Sequence, residues 1–327
     1  MRLKLLLFLC GGALLAGSAP GAAAQDDNND NLAEGRQLSR EGRYAEARVR
    51  LAAALRNAQR DSDTRSVAMI LDCLGVNEED SGDYRQAETY LNHGLSTIQP
   101  YSPYEPALID LQTHLAELYM AEMRPEDAEP LLRRTLGALR RAASPDWLLV
   151  ARAEEDLALT GVMQHRYDEP EKLLRHSQGL IEGQLGPANP RLTNSLFAFA
   201  ALLTAEHRYA EAVAPAERGW QILHSMNLSL AKADLATACT ALSTVYFRVG
   251  RTGEALSMAR QAVDLAEAVV GRNHPCVVRC LSNYAYILKH MGRKDQAKEI
   301  QKRADAISKT LPAVVVDGNT VNIAALH

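Results

Sequence analysis

Gly292-Arg293-Lys294-Asp295-Gln296-Ala297 decides the reading of this chain, because six phrases of the same kind precede it. They are Gly42-Arg43-Tyr44-Ala45-Glu46-Ala47, Gly82-Asp83-Tyr84-Arg85-Gln86-Ala87, Met123-Arg124-Pro125-Glu126-Asp127-Ala128, His165-Arg166-Tyr167-Asp168-Glu169-Pro170, His207-Arg208-Tyr209-Ala210-Glu211-Ala212 and Gly250-Arg251-Thr252-Gly253-Glu254-Ala255. Their start points advance by 40, 41, 42, 42, 43 and 42 residues. A repeat this regular changes what a length of 327 residues means, since repeat arrays grow by stacking units and not by splitting into globular domains.

Each phrase sits between two helical patterns. Before Gly292, Leu281, Tyr284, Ala285 and Leu288 are spaced i, i+3, i+4, i+7, one face of a helix. Leu196, Phe199, Ala200 and Leu203 hold the same slots before His207, and Gln112, Leu115, Ala116 and Tyr119 hold them before Met123. The small slot (Gly75, Ala116, Ala158, Ala200, Ala285) lets a second helix come close. That second helix follows the turn, with Ala47 and Leu51, Ala87 and Leu91, and Ala128 and Leu132 at four-residue spacing. A glycine at the turn supplies the conformation that ends the first helix. One helical hairpin cannot bury its apolar stripe, so neighbouring hairpins must stack around a shared core. Aromatic residues are only 5 % of the chain, which leaves that core to Leu, Ala and Val.

These features resemble the tetratricopeptide repeat, in its 42-residue variety found in kinesin light chains and many bacterial proteins. The ordinary repeat has a period of about 34 residues, and the ~8 extra would lengthen each helix by about one turn. The likeness is most detailed in Ala128-Glu129-Pro130-Leu131-Leu132-Arg133-Arg134-Thr135-Leu136. It extends to the inter-repeat phrases Leu185-Gly186-Pro187-Ala188-Asn189-Pro190 and Val270-Gly271-Arg272-Asn273-His274-Pro275, each ending in a Pro that stands 17 residues before the next turn, as Pro106 does. Pro170 replaces the usual Ala, and Gly161 and Glu78 stand where the family places bulky residues. The resemblance implies an all-α, right-handed superhelical solenoid of about seven hairpins over residues 31–311.

The chain's start reads differently. Met1-Arg2-Leu3-Lys4 is basic, Leu5 to Ala16 is apolar, and Ala22-Ala23-Ala24 precedes the polar Gln25-Asp26-Asp27-Asn28-Asn29-Asp30. These are the three regions of a signal peptide cleaved after Ala24, with residues 25–30 as a polar tether. The apolar run falls short of the roughly 20 residues that a spanning helix needs. Leu7-Phe8-Leu9 before Cys10 does not fit a lipidation signal. Removing residues 1–24 leaves 34 basic against 40 acidic residues, a net charge near −6 that excludes the profile of a nucleic-acid binder. The mature form is expected to be exported, periplasmic or secreted, and not membrane-spanning. Of its cysteines, Cys276 and Cys280 are four apart on one helix face, a poor disulfide geometry; Cys239 and Cys280 fall on neighbouring repeats and could approach. Small buried side chains are the favoured reading for all four, Cys73 included.

No phosphate-binding loop, nucleophile elbow or His-Glu-x-x-His is present, and the nine His are scattered. The reading is therefore non-enzymatic, with no cofactor, no metal and no small-molecule substrate. Glu154-Glu155-Asp156 is read as a solvated acidic face.

In the resembling family, first helices line a groove that holds peptides. That implies groove positions at Asp72, Glu79, Asp80, Asp110, His114 and Glu117, followed by Arg152, Glu155, Asp156, Asn194 and Phe197. Thr244, Phe247, Arg248, Arg279, Asn283, Tyr286, Lys289 and His290 complete the set. The early positions are acidic and the late ones basic, which suits a protein or peptide of complementary asymmetry. The Lys-and-Asn carboxylate clamp of chaperone-binding relatives is matched only by Asn283. The tail, residues 312–327, places β-branched residues around Asp317-Gly318 and reads as a short hairpin or a loose end. The expected function is a protein-interaction scaffold in the bacterial envelope; the alternative is an accessory or regulatory subunit of an envelope enzyme or secretion complex.

Overall fold

The computed structural model describes residues 23–98, 105–225 and 232–310. Fourteen α-helices occupy them, with no strand among the described residues. The chain forms two compact units, one ending at Glu122 and the other starting at Met123. The N-terminal unit holds α1 (Ala23–Arg40), α2 (Tyr44–Arg60), α3 (Thr64–Ser81), α4 (Tyr84–Ile98) and α5 (Pro106–Ala121). The C-terminal unit holds α6 (Pro125–Arg141), α7 (Trp147–Met163), α8 (Asp168–Leu185), α9 (Leu192–Ala205), α10 (Tyr209–His224), α11 (Lys232–Arg248), α12 (Thr252–Val270), α13 (Pro275–His290) and α14 (Lys294–Ser308). Helix α1 takes in residues 25–30, set apart above as a tether. The candidate leader up to residue 22 and the tail 312–327 lie outside the described residues.

All seven turn phrases fall between consecutive helices, and the first residue of each has a positive φ: Gly42 76°, Gly82 88°, Met123 62°, His165 59°, His207 62°, Gly250 82° and Gly292 78°. The next amide then reaches back to a carbonyl five residues earlier, as in Arg43 to Leu38 (2.9 Å), Arg208 to Leu203 (2.8 Å) and Arg251 to Tyr246 (2.8 Å). This closure satisfies carbonyls that a helix end leaves open. Three non-glycine residues accept the left-handed backbone, although it costs roughly 1–2 kcal/mol per residue. His207 also gains a local contact, its Nδ1 standing 2.5 Å from the Tyr209 hydroxyl.

Small first-helix residues let the second helix sit close. A Cβ on Gly75 would come within 2.5 Å of Leu91 Cγ, and one on Gly35 within 2.7 Å of Leu51 Cγ. Two departures from the family pattern compensate each other: a Cβ on Gly161 would lie 2.6 Å from Pro170 Cγ, so the missing side chain makes room for the proline ring. Glu78, also out of pattern, is fully buried, and Arg48 grips it through Nε at 2.6 Å and through Nη2.

The expected solvated face at Glu154-Glu155-Asp156 is corrected by the structure. These residues are 0 %, 3 % and 1 % exposed. Arg140 Nη2 (2.6 Å) and His176 Nδ1 (2.8 Å) hold the Glu154 carboxylate, and Ser177 Oγ donates to Glu155 at 3.2 Å. Burial, reinforced by Asp156, pushes the Glu155 carboxyl well above the usual range.

In the N-terminal unit α1 touches α3 and α3 touches α5; in the C-terminal unit α7, α9, α11 and α13 touch in series. Second helices of neighbouring hairpins stand further apart and meet through side chains, as Arg133 on α6 does with Glu169 on α8 at 2.8 Å. First helices therefore crowd on the inner side of each stack, and second helices splay on the outer side. The outer side carries a repeated ion-pair rung: Arg208 bonds Glu211 (2.7 Å) and, one repeat back, Glu171 (3.3 Å), while Arg251 bonds Glu254 (2.6 Å) and Glu217 (2.7 Å). Exposed pairs of this kind contribute little each and serve mainly to hold register.

Candidate functional site

The inner side of the N-terminal unit is built by α1, α3 and α5. Asp72 on α3 meets His114 on α5, with Oδ1 and Nδ1 2.7 Å apart. Asp80, about two turns further along α3, shares its surroundings with His114 and Glu117. Burial pushes the Asp80 carboxyl up to about 6; His114 opposes that rise and Glu117 adds to it. Glu79 is buried, Glu117 is partly buried and Asp110 is exposed. All six positions expected here lie on α3 and α5. The structure adds Arg36 on α1, whose Nε lies 3.1 Å from Cys73 Sγ and whose charge reaches Asp72 and Asp110. Sequence reasoning missed Arg36 because its neighbours Cys73, Asp72 and Asp110 lie 36 or more residues away on other helices.

The thirteen later positions fall on α7, α9, α11 and α13 of the C-terminal unit, and they separate into two groups. One group is turned inward. Glu155 and Asp156 belong to the buried carboxylate run on α7. Phe197 is 4 % exposed and packs over Gly219, where any Cβ would meet the ring at 2.8 Å. Its role is packing, and its size is made possible by the glycine opposite. Thr244 is buried and returns its hydroxyl to the Thr240 carbonyl at 3.0 Å. Asn283, also buried, donates to Ser243 Oγ at 2.8 Å. Arg279 lies against Cys276.

The second group gathers on α11 and α13, where Tyr286 is buried at 7 % exposure, Phe247 is partly buried and His290 is exposed. Phe247, Tyr286 and His290 make a three-ring cluster, with centroids 5.5 Å, 5.7 Å and 4.3 Å apart for the pairs Phe247–Tyr286, Phe247–His290 and Tyr286–His290. The Arg248 guanidinium stands 5.5 Å from the Tyr209 ring. Its Nε and Nη2 are buried with no hydrogen-bond acceptor among the described residues. Lys289 is exposed beside the cluster. Arg152 and Asn194 are partly exposed on α7 and α9. Tyr209 belongs to a turn phrase and was read only as a hairpin residue; its contact with Arg248 is long-range and left no local signal.

The two faces differ in chemistry. The N-terminal one is carboxylate-rich with Arg36 and His114 among the acids, and the C-terminal patch is aromatic and basic. No group of three or more His, Cys, Asp or Glu that could hold a metal ion occurs among the described residues. Nor is any helix among them long and apolar enough to cross a membrane.

Comparison with known proteins bears on the fold. Residues 234–310 match the tetratricopeptide repeat family. No curated protein matches the sequence. Among solved structures, the chain is similar to a Rap protein complexed with competence and sporulation factor, at 15 % identity and a TM-score of 0.69, covering 89 % of this chain and 77 % of that one. The apo form of RapI gives 16 % identity and a TM-score of 0.65 over 86 % and 98 % of the two chains. NprR in complex with its cognate peptide NprX gives 12 % identity and 0.57 over 88 % and 83 %. At these identities the likeness is one of fold: an all-α array of tetratricopeptide-type hairpins.

Proposed function

We propose that this chain is a non-enzymatic scaffold that binds a peptide or a partner protein on the inner side of its first helices, and that it does so in the bacterial envelope after export. The observation that carries the reading is the α11–α13 patch. A buried guanidinium edge with two open donors is costly, because unsatisfied buried donors lose about 1–3 kcal/mol each, and more when charged. The Tyr209 ring returns only part of that. An incoming acceptor, set beside the rings of Phe247, Tyr286 and His290, would recover the rest and bury apolar surface together with it. The structural likenesses support the same reading, since the Rap and NprR structures are of complexes, NprR's with its cognate peptide. Export rests on the leader-like residues 1–24.

A photo-crosslinking residue in place of His290, exposed on α13, and one in place of Val49, exposed on α2, test the binding reading in cells. The expected result is a discrete adduct from position 290 that weakens at least tenfold in Arg248→Ala, with nothing specific from position 49. Equal labelling from both positions would remove the inner side as the binding face. N-terminal sequencing of the protein from the envelope fraction is expected to begin at Gln25.

A further inference from the structure

We propose that the seam between α7 and α8 is a proton-operated latch, closed while Glu155 is a neutral carboxylic acid bonded to Ser177 and loosened when that proton is lost. This is independent of the binding reading above.

Two neighbouring residues of α8 meet two neighbouring residues of α7. His176 Nδ1 stands 2.9 and 2.8 Å from the two oxygens of Glu154, and Ser177 Oγ stands 3.2 Å from Glu155 Oε1. The two carboxyls are served differently. Arg140 of α6 also bonds Glu154, with Nη2 at 2.6 Å, so a guanidinium and an imidazole both go to Glu154 while Glu155 meets a hydroxyl. Both carboxyls are buried, and so is Asp156 beside them. An ionised Glu155 would put a further negative charge next to an ionised Glu154 in a space that excludes water, which is costly.

The Ser177 hydroxyl tells the two forms of Glu155 apart. It has one hydrogen and two oxygens in reach, Glu155 Oε1 and the Leu174 carbonyl at 3.3 Å. An ionised Glu155 can only accept, so it competes with Leu174 for that hydrogen. A neutral Glu155 gives its own proton to Ser177 Oγ, Ser177 gives its hydrogen to Leu174, and both bonds are made at once.

The surrounding charges point the same way. On α7, Asp156 and Glu154 favour the neutral form of Glu155, and Arg152 opposes it. Arg140 from α6 and His176 from α8 are engaged on Glu154. The third helix packed against α7 is α9, and Leu192–Ala205 contains no charged or titratable residue. Burial outweighs each of these influences and adds to that of the acids. Glu155 therefore holds a proton in the fold at pH values where the unfolded chain, releasing it near 4.5, has lost it. The sign follows: the seam is tightest below about 4.5 and weakens as pH rises through the raised value of Glu155.

Hydrogen exchange on the whole chain reads this seam. Each pH unit by which the folded carboxyl exceeds the unfolded one favours opening by up to about tenfold once the proton is gone. Protection of the α8 amides, corrected for the intrinsic pH dependence of exchange, should fall about tenfold or more between pH 5 and pH 8 in the parent chain. Glu155→Gln stays neutral and can still donate to Ser177, so its fall should be about threefold or less, with the two chains agreeing at pH 5. A carbon-13 titration of the glutamate carboxyls reads the same proton without any substitution. One of them should remain protonated at pH 6 in the parent chain, and that signal should be missing from Glu155→Gln. The proposal falls if every glutamate carboxyl of the parent chain has ionised by pH 6, if the protonated one survives in Glu155→Gln, or if α8 loses the same protection with pH in both chains.

Discussion

At the residue scale, the polar groups of this protein are where its chemistry is concentrated. Asp80 gives the clearest case. Its carboxyl is raised from 3.8 to about 6, so between those values the folded protein holds a proton that the unfolded chain has released. Stability must then fall as pH rises from about 4 to about 6, and the penalty persists above that window. Two pH units would be worth about 3 kcal/mol, which partial exposure reduces to about 2. Asp80→Asn removes the ionisation. Its urea midpoint should exceed that of the parent chain at pH 7 by an amount equal to about 2 kcal/mol, and the difference should close near pH 4. A difference that is the same at both pH values would mean that Asp80 is not held protonated. The Asp80 environment was not legible in the sequence, because desolvation is set by packing and His114 and Glu117 arrive from another helix. The same holds for Glu154, whose ligands Arg140 and His176 are 14 and 22 residues away. A run of three acids looks solvated until its counter-ions are placed.

At the scale of elements, the turn phrase was read as a helix stop supplied by glycine, and the structure shows that the backbone shape is the conserved quantity within this chain. Seven residues adopt it and three of them are not glycine. Substitution should therefore be asymmetric. Gly250→Ala places a side chain at φ 82°, which costs roughly 1–2 kcal/mol in the fold and is offset by up to about 1 kcal/mol of reduced freedom in the unfolded chain. A net loss of about 1 kcal/mol is expected from denaturant melts. His207→Gly relieves the same strain but gives up the contact with Tyr209, so it should be close to neutral. If Gly250→Ala were as harmless as His207→Gly, the backbone account of the turn would be wrong. Helices and turns were legible because amphipathic spacing and turn closure are local. The pairing of Gly161 with Pro170 was not: each looked like a defect in isolation, and only the fold shows that a Cβ on Gly161 would stand 2.6 Å from the proline ring, so that one vacates the space the other fills.

At the scale of the molecule, stacked hairpins predict how the C-terminal unit comes apart. Each hairpin there is buried by its neighbours, while α14 closes the unit with Ala297, Ala304 and Ile307 turned inward and most of its other side chains exposed. The family likeness at residues 234–310 covers this end. In an array of nearest-neighbour contacts, damage at an end should stay at that end, since an outer hairpin has only one neighbour to lose. Ile307 belongs to the buried cluster with Ala262, Val277 and Leu281, so Ile307→Ala removes contacts that join α14 to α12 and α13. About 2 kcal/mol is expected from such a truncation, which corresponds to roughly 30-fold faster amide exchange where opening is local. Hydrogen exchange should show that acceleration in α13 and α14, a weaker one in α11 and α12, and almost none in α7 and α8. A globular unit with one shared core would behave otherwise, with every helix of the unit speeding up together. The gradient along the chain, more than the size of the effect at any one helix, is what separates a stack from a globule.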